Sequence, residues 1–162
     1  MKVRVAQAGD WPSIWPFFSA IVRAGETYAY PEGLSSDEGR DLWMEASPGR
    51  TVVAVEGDVV LGTAKMGPNR PGRGSHVATA SFMVDAEQAG RGVGRVLGEY
   101  VVTWARSSGY RSIQFNAVVE TNTAAVRLWQ SLGFRILTTV PEAFRSSGHG
   151  LVGLHVMYRE LP

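Results

Sequence analysis

The sequence contains no cysteine, which removes disulfides, thiolate metal sites and cysteine nucleophiles together and leaves the redox compartment open. Lysine is nearly absent as well: Lys2 and Lys65 are the only two among 16 basic residues. The remaining arginines suit bidentate contact with phosphate, although a codon-usage bias produces the same composition. The formal net charge is only +1, so no overall field draws the chain to nucleic acid or to an anionic membrane. No apolar run approaches the ~20 residues that span a bilayer. The opening MKVRVAQAGDWP also lacks the apolar stretch of a secretory signal. A soluble, cytoplasmic protein is the expectation. No Pro/Gly/Ser linker and no internal repeat divides the 162 residues, the size of one ordinary domain (1–162) with one core.

What is present reads as alternating strands and helices. Residues 2–6 alternate in polarity as a strand. Asp10 is placed to cap a helix with apolar residues at Ile14, Phe17, Phe18, Ile21 and Val22; Pro16 threatens to kink it, and Gly25 ends it. After a loop with two tyrosines, Ser35 or Ser36 caps a short helix reaching about Ala46. Residues 51–57 and 59–66 form a hairpin about Gly57-Asp58, 67–75 a loop and 76–84 a strand. Helical spacing returns between Gly92 and Ser107, with Gly109 beyond it. A strand over 111–119, a helix from Asn122 to Leu132 closed by Gly133, and strands over 134–140 and 151–159 complete the chain. The order β-α-α-β-β-β-α-β-α-β-β implies an α+β fold, an α/β sandwich with a mixed, mostly antiparallel sheet.

The stretch FMVDAEQAGRGVGRVLG, residues 82–98, carries the most chemistry. A strand ends, glycines recur at 90, 92 and 94, and a helix begins at once. Glycines let main-chain N–H groups turn inward, and the helix start adds unpaired N–H groups and the positive end of its dipole. Such a turn cradles a phosphate or diphosphate, with Arg91 and Arg95 as flanking charges, or it merely joins strand to helix. GxxxxGK[ST] is absent, and Arg95 and Leu97 stand where GxGxxG needs its last glycine. Spacing therefore disfavours ATP and NAD.

This run resembles the acetyl-CoA motif [RQ]xxGx[GA] of the GCN5-related N-acetyltransferase (GNAT) family, through Gly92 and Gly94. The second half, Glu120-Thr-Asn122-Thr-Ala-Ala125 through Trp129 to Gly133-Phe134, is similar to that family's ExNxxAxxxYxxxGF. The resemblance implies the GNAT fold from end to end and transfer of acetyl from acetyl-CoA to an amine. Two positions depart from the pattern. Ala89 stands where Arg or Gln is expected, with Gln88 one residue early. Trp129 replaces the tyrosine that protonates the leaving thiolate, and an indole N–H donates a hydrogen bond but is no acid near neutral pH.

By the same resemblance, the strand at 81–84 splays from its neighbour, and Phe82, Met83 and Val84 bind the cofactor through their main chain. The cradle of Arg91, Gly92, Val93, Gly94 and Arg95 takes the diphosphate, and Asn122 and Ala125 meet the cofactor arm. Asn122 serves equally as an N-cap. Glu120 and Glu26 are the carboxylates placed to act as a base through water; Glu120 also suits helix capping. Asn116, inside an apolar strand, either faces solvent or contacts the substrate near Trp129. Tyr28 and Tyr30 either line an acceptor pocket with Glu26 or pack on the core.

FNAVVETN followed by RLWQSLGF is also similar to fungal acetyltransferases that act on proline analogues such as azetidine-2-carboxylate. A small-molecule amine is thus the expected acceptor, with a protein amine as the alternative. A coenzyme A-binding module without turnover and a partner-binding protein are the rival classes. A homodimer is expected by analogy with the fold alone. No metal is expected, since neither His149 nor His155 has a second ligand at helical spacing, and GxSxG is absent.

Overall fold

The computed structural model describes all 162 residues. Eleven principal elements follow in the expected order: β1 (Lys2–Val5), α1 (Trp11–Ala24), α2 (Ser36–Trp43), β2 (Arg50–Glu56), β3 (Val59–Pro68), β4 (Val77–Val84), α3 (Val93–Ser107), β5 (Ser112–Val119), α4 (Thr123–Ser131), β6 (Arg135–Ser146) and β7 (Gly150–Glu160). The seven strands form one sheet in the order β1-β2-β3-β4-β5-β7-β6. Every pairing is antiparallel except β4 with β5.

Helices cover both faces, so the interior strand β2 is a nearly continuous apolar run rather than an alternating one. Val52 and Ala54 turn to the core shared with α3 and α4, where Leu97, Val101 and Trp129 are buried. Val53 and Val55 turn to the opposite core, beneath Phe18 of α1 and Trp43 of α2. Trp43 is fully buried, and its Nε1 donates to Thr63 Oγ1 at 3.0 Å. Thr63 in turn donates to the Val52 carbonyl at 2.8 Å, so this polar pair leaves nothing unsatisfied in the core.

Several local expectations need correction. Asp10 does not cap α1 with its side chain. Both of its oxygens take the Arg4 guanidinium at 2.8 Å, and one takes the Gln7 N–H at 2.7 Å. These contacts, the Arg4 hydrogen bonds foremost, hold its carboxyl below the usual range. Helix α1 runs through Pro16, which lies near the N-terminus and forgoes one main-chain bond. Of the two serines left open as the cap of α2, Ser35 takes the place: its Oγ accepts from Glu38 N–H at 3.1 Å, and the Glu38 carboxylate accepts from Ser35 N–H at 2.7 Å. That helix stops at Trp43 rather than Ala46. Strand β6 continues past residue 140 to Ser146, absorbing Pro141 through a register shift and Glu142 at φ 52°.

Candidate active site

Strands β4 and β5 pair at Val77↔Ser112 and Ala78↔Ile113 and then part. On the other side β4 stays in unbroken register with β3. Asn69 N–H donates to the Val77 carbonyl at 2.7 Å and Asp85 N–H to the Leu61 carbonyl at 3.0 Å. The alternation of an antiparallel ladder then turns Met83's main chain to β3, and those of Ala80, Phe82 and Val84 to the gap. Of the three residues expected to meet a ligand through main chain, Phe82 and Val84 face the opening. Met83 does not, because its N–H and C=O are committed to β3, and its side chain is buried under α1.

A cavity of about 650 Å³ passes through this gap. On one face it is walled by Gly94 of α3 and by Ala125, Leu128 and Trp129 of α4; on the other by Tyr28, Tyr30 and Phe144. Asn116 and Asn122 also line it. No lining side chain is charged, so the chamber is apolar with a few hydroxyls and amides, the usual make-up of a small-molecule site.

Beside the α3 wall of the cavity, Gly92 sits at φ 78° as the N-cap of α3 with no side-chain capping bond. The first main-chain bond of the helix is Val96 N–H to the Gly92 carbonyl at 3.1 Å. The N–H groups of Val93, Gly94 and Arg95 therefore point unpaired from the positive end of the dipole. Gly90 also has φ 78°, and a Cβ at either Gly90 or Gly92 would meet nothing within 4 Å. The cradle is open, free of acidic side chains in its first turn, and fits a diphosphate. Arg91 is paired with the Glu56 carboxylate and with Gln88 Oε1, the latter at 2.6 Å. Arg95 donates to Ser131 Oγ at 2.8 Å. Ala89, at the expected Arg/Gln position, contributes no polar side chain; Gln88 spends its carbonyl oxygen on Arg91.

Glu26 was expected to reach the substrate; it lies outside the cavity lining. Its carboxylate accepts from Ser146 Oγ and from Gly148 N–H, each at 2.7 Å, and Ser147 N–H donates to the Gly25 carbonyl at 3.0 Å. The loop after α1 is thereby latched to the β6–β7 hairpin, behind the wall that Phe144 gives the cavity. The Ser146 hydrogen bond, then that of Gly148, pulls the Glu26 pKa below the usual carboxylate value. A depressed native pKa means the latch stabilises the fold above the unfolded carboxylate pKa, and the contribution is lost as pH falls through the native one. Wild type and Glu26→Gln are therefore expected to differ in melting temperature at neutral pH and to converge in acid, which a pH series of thermal unfolding checks.

Glu120 is likewise engaged outside the lining: its Oε1 accepts from Gly153 N–H at 2.6 Å. Asn116 is exposed rather than buried; it donates to Asn69 Oδ1 at 2.6 Å and accepts from Gln114 Nε2 at 2.9 Å. Asn122 caps α4 loosely, accepting from Ala125 N–H at 3.4 Å. Trp129 is buried against Phe82 and Phe115, with ring centroids at 4.4 and 5.1 Å, so it walls the chamber through packing. Tyr28 stacks on Tyr30 at 5.5 Å. Burial pushes the Tyr30 hydroxyl up to about 12. The residue that sequence reasoning passes over is Thr27. Its Oγ1 is buried without a hydrogen-bond partner, and the residue lines the cavity. Nothing in its sequence neighbourhood marks it.

Comparison with known proteins places this geometry. Residues 14–134 match the model of the acetyltransferase (GNAT) family. The chain is 61% identical to a GCN5-related N-acetyltransferase structure from Kribbella flavida, with a TM-score of 0.96 over 99% of this chain and 97% of that one. It is 25% identical to yncA from Salmonella typhimurium, solved with its cofactor acetyl-CoA, with a TM-score of 0.85 over 100% of this chain and 94% of that one. Among characterised relatives, N-acetyltransferase aca1 of Schizosaccharomyces pombe is 28% identical across 90% of this chain and 78% of its own length. The L-amino acid N-acyltransferase MnaT of Escherichia coli is 28% identical across 93% of this chain and 89% of its own.

Proposed function

The chain belongs to the GNAT family and is an acetyl-CoA-dependent N-acetyltransferase; from that premise we propose that its acceptor is a small amine, an amino acid or proline analogue, bound in the Tyr28–Phe144 half of the cavity. The observation that carries this reading is one uncharged chamber with the α3–α4 cleft on one face of the sheet and the tyrosine loop on the other, joined through the β4–β5 gap. The kinship with an L-amino acid N-acyltransferase supports the acceptor class.

In this mechanism the α3 N–H groups of Val93, Gly94 and Arg95 hold the diphosphate, and the main chains of Phe82 and Val84 meet the arm. Acetyl-CoA, when bound, would supply a thioester whose leaving group is a thiolate, a far weaker base than an alkoxide. That property makes the absence of an acid at Trp129 tolerable. Asn116, with Asn69 behind it, and Thr27 Oγ1 orient the acceptor by hydrogen bonds. Both nominated carboxylates are spent elsewhere, Glu26 on the hairpin and Glu120 on Gly153. With no charged side chain on the cavity wall, the amine must arrive as its free base and its proton must pass to water. Log kcat/KM should therefore rise with unit slope up to the pKa of the acceptor amine and shift when a less basic acceptor is used. A profile that breaks at one fixed pH for acceptors of different basicity would mean an enzymic base exists, and this mechanism would be wrong.

A second reading, a protein or peptide amine as acceptor, is favoured by one feature. A groove of about 590 Å³, edged by Glu32 and Arg145, shares Tyr28, Tyr30 and Phe144 with the chamber. A peptide chain could lie there with its amine reaching inward.

A further inference from the structure

Where β4 leaves β5, one side chain does the work of the missing strand. Phe82 N–H donates to Tyr28 Oη at 2.7 Å, and the same hydroxyl donates to the Phe82 carbonyl at 2.5 Å. Both main-chain groups of Phe82, left facing the gap by the ladder's alternation, are thus satisfied by a residue 54 positions earlier in the chain. Tyr28 reaches them from the loop after α1, held there by its stack on Tyr30 and its edge contact with Trp43 at 6.1 Å. Without the hydroxyl these part-buried groups would have no partner in the protein, and leaving them unpaired costs more than the bond itself contributes.

The cofactor arm is an extended chain with two secondary amides, the kind of group that pairs with an open strand edge. If, as proposed above, the arm meets the Phe82 and Val84 main chains, it calls on the two Phe82 groups that Tyr28 already holds. The carbonyl has two lone pairs, but the single N–H cannot serve two acceptors with good geometry, so the hydroxyl and the arm compete for it. We infer that Tyr28 is a placeholder: its hydroxyl closes the Phe82 main chain while the gap is empty and is displaced from it when acetyl-CoA binds. The phenol then stands free inside the chamber between Phe82 and the acceptor side. Tyr28 is a positioning residue in this reading, one that keeps the strand edge in its binding shape without a ligand. The inference rests on the cofactor's arm occupying the β4–β5 gap.

A hydroxyl that must be displaced competes with the ligand, so removing it should strengthen binding. Tyr28→Phe keeps the ring and its aromatic contacts and deletes only the hydroxyl. By calorimetry the variant is expected to bind acetyl-CoA about two- to tenfold more tightly than wild type, the span of one ordinary hydrogen bond. Its melting temperature should fall without ligand and recover to near the wild-type value at saturation. Adenosine 3′,5′-bisphosphate, which has no pantetheine arm, should bind both proteins equally. Unchanged or weaker acetyl-CoA binding, with the same melting deficit in both states, would show that Tyr28 keeps its bond when the ligand is present and would overturn the inference. Wild type failing to bind acetyl-CoA at all would instead remove the cofactor premise, so the two failures are distinct. Wild-type protein labelled with ¹³C at tyrosine Cζ gives a reading that does not depend on the variant folding. The Tyr28 signal should move on adding acetyl-CoA but not adenosine 3′,5′-bisphosphate, and a signal that stays put in both cases overturns the inference.

Discussion

Replacing Gly92 with valine is expected to weaken acetyl-CoA binding by about ten- to a hundredfold, at about 1.4 kcal/mol per tenfold. Gly92 sits at φ 78°, where a β-branched residue is a true outlier. Holding valine there costs about 1–3 kcal/mol, and the chain can relieve the strain only by rotating the first turn of α3. That turn carries the Val93, Gly94 and Arg95 N–H groups proposed to grip the diphosphate, so relief of strain misaligns the donors. Gly109, just beyond the other end of α3, has φ 83° and equally open surroundings. Gly109→Val should therefore lose comparable stability and leave acetyl-CoA affinity near the wild-type value. Calorimetric titration of both variants, with circular dichroism to check folding, separates the cradle from general backbone strain. Equal losses of affinity in the two would sink the cradle's role.

The second large effect belongs to Trp129. Truncation to alanine removes a buried indole packed on Phe82, Phe115 and Phe134, a change that costs about 3–5 kcal/mol in comparable cores. Gly98 of α3 lies against the same ring; a Cβ there would come within 3.0 Å of Trp129 and 2.6 Å of Leu132, so α3 and α4 have no slack with which to close the hole. The space opens toward the chamber, because Trp129 is part of its wall. Trp129→Ala should unfold at clearly lower temperature and, at a permissive temperature, show a raised ratio of butyryl-CoA to acetyl-CoA turnover. Trp129→Tyr keeps an aromatic wall and should recover most of the stability. If the alanine variant discriminates between the two acyl donors as wild type does, the indole does not bound the acyl site.

The features legible in the sequence are those set by neighbours along the chain. Gly92 and Gly94 before an apolar helix, a serine cap at Ser35 or Ser36 and the Gly25 stop each act within a few residues, and each is found in place. The succession of strands and helices is legible in the same way, and with it a sheet that is mostly antiparallel; the place of β7 between β5 and β6 is set by pairing across the chain. The misplacements come from partners far apart in sequence. Glu26 reads as a free loop carboxylate until Ser146 and Gly148, over a hundred residues on, take both its oxygens. Met83 reads like Phe82 and Val84 until the register with β3 decides which main chains face the gap. Asn116 leaves two readings open in the sequence, solvent or substrate; the register shift between Phe115 and Val118 leaves it exposed beside Asn69 and still on the chamber wall. Thr27 carries no local mark at all; its unpaired hydroxyl exists only because of what folds around it.

The most direct test of the proposed acceptor is thiol release from acetyl-CoA, followed in the presence of free L-amino acids, azetidine-2-carboxylate and a short peptide with a free N-terminal amine. The expected result is saturable release with at least one of the small amines, at a kcat/KM well above that of the peptide, and an N-acetylated product of matching mass. Release supported by the peptide and by none of the small amines would contradict the small-molecule reading and move the acceptor to the Glu32–Arg145 groove.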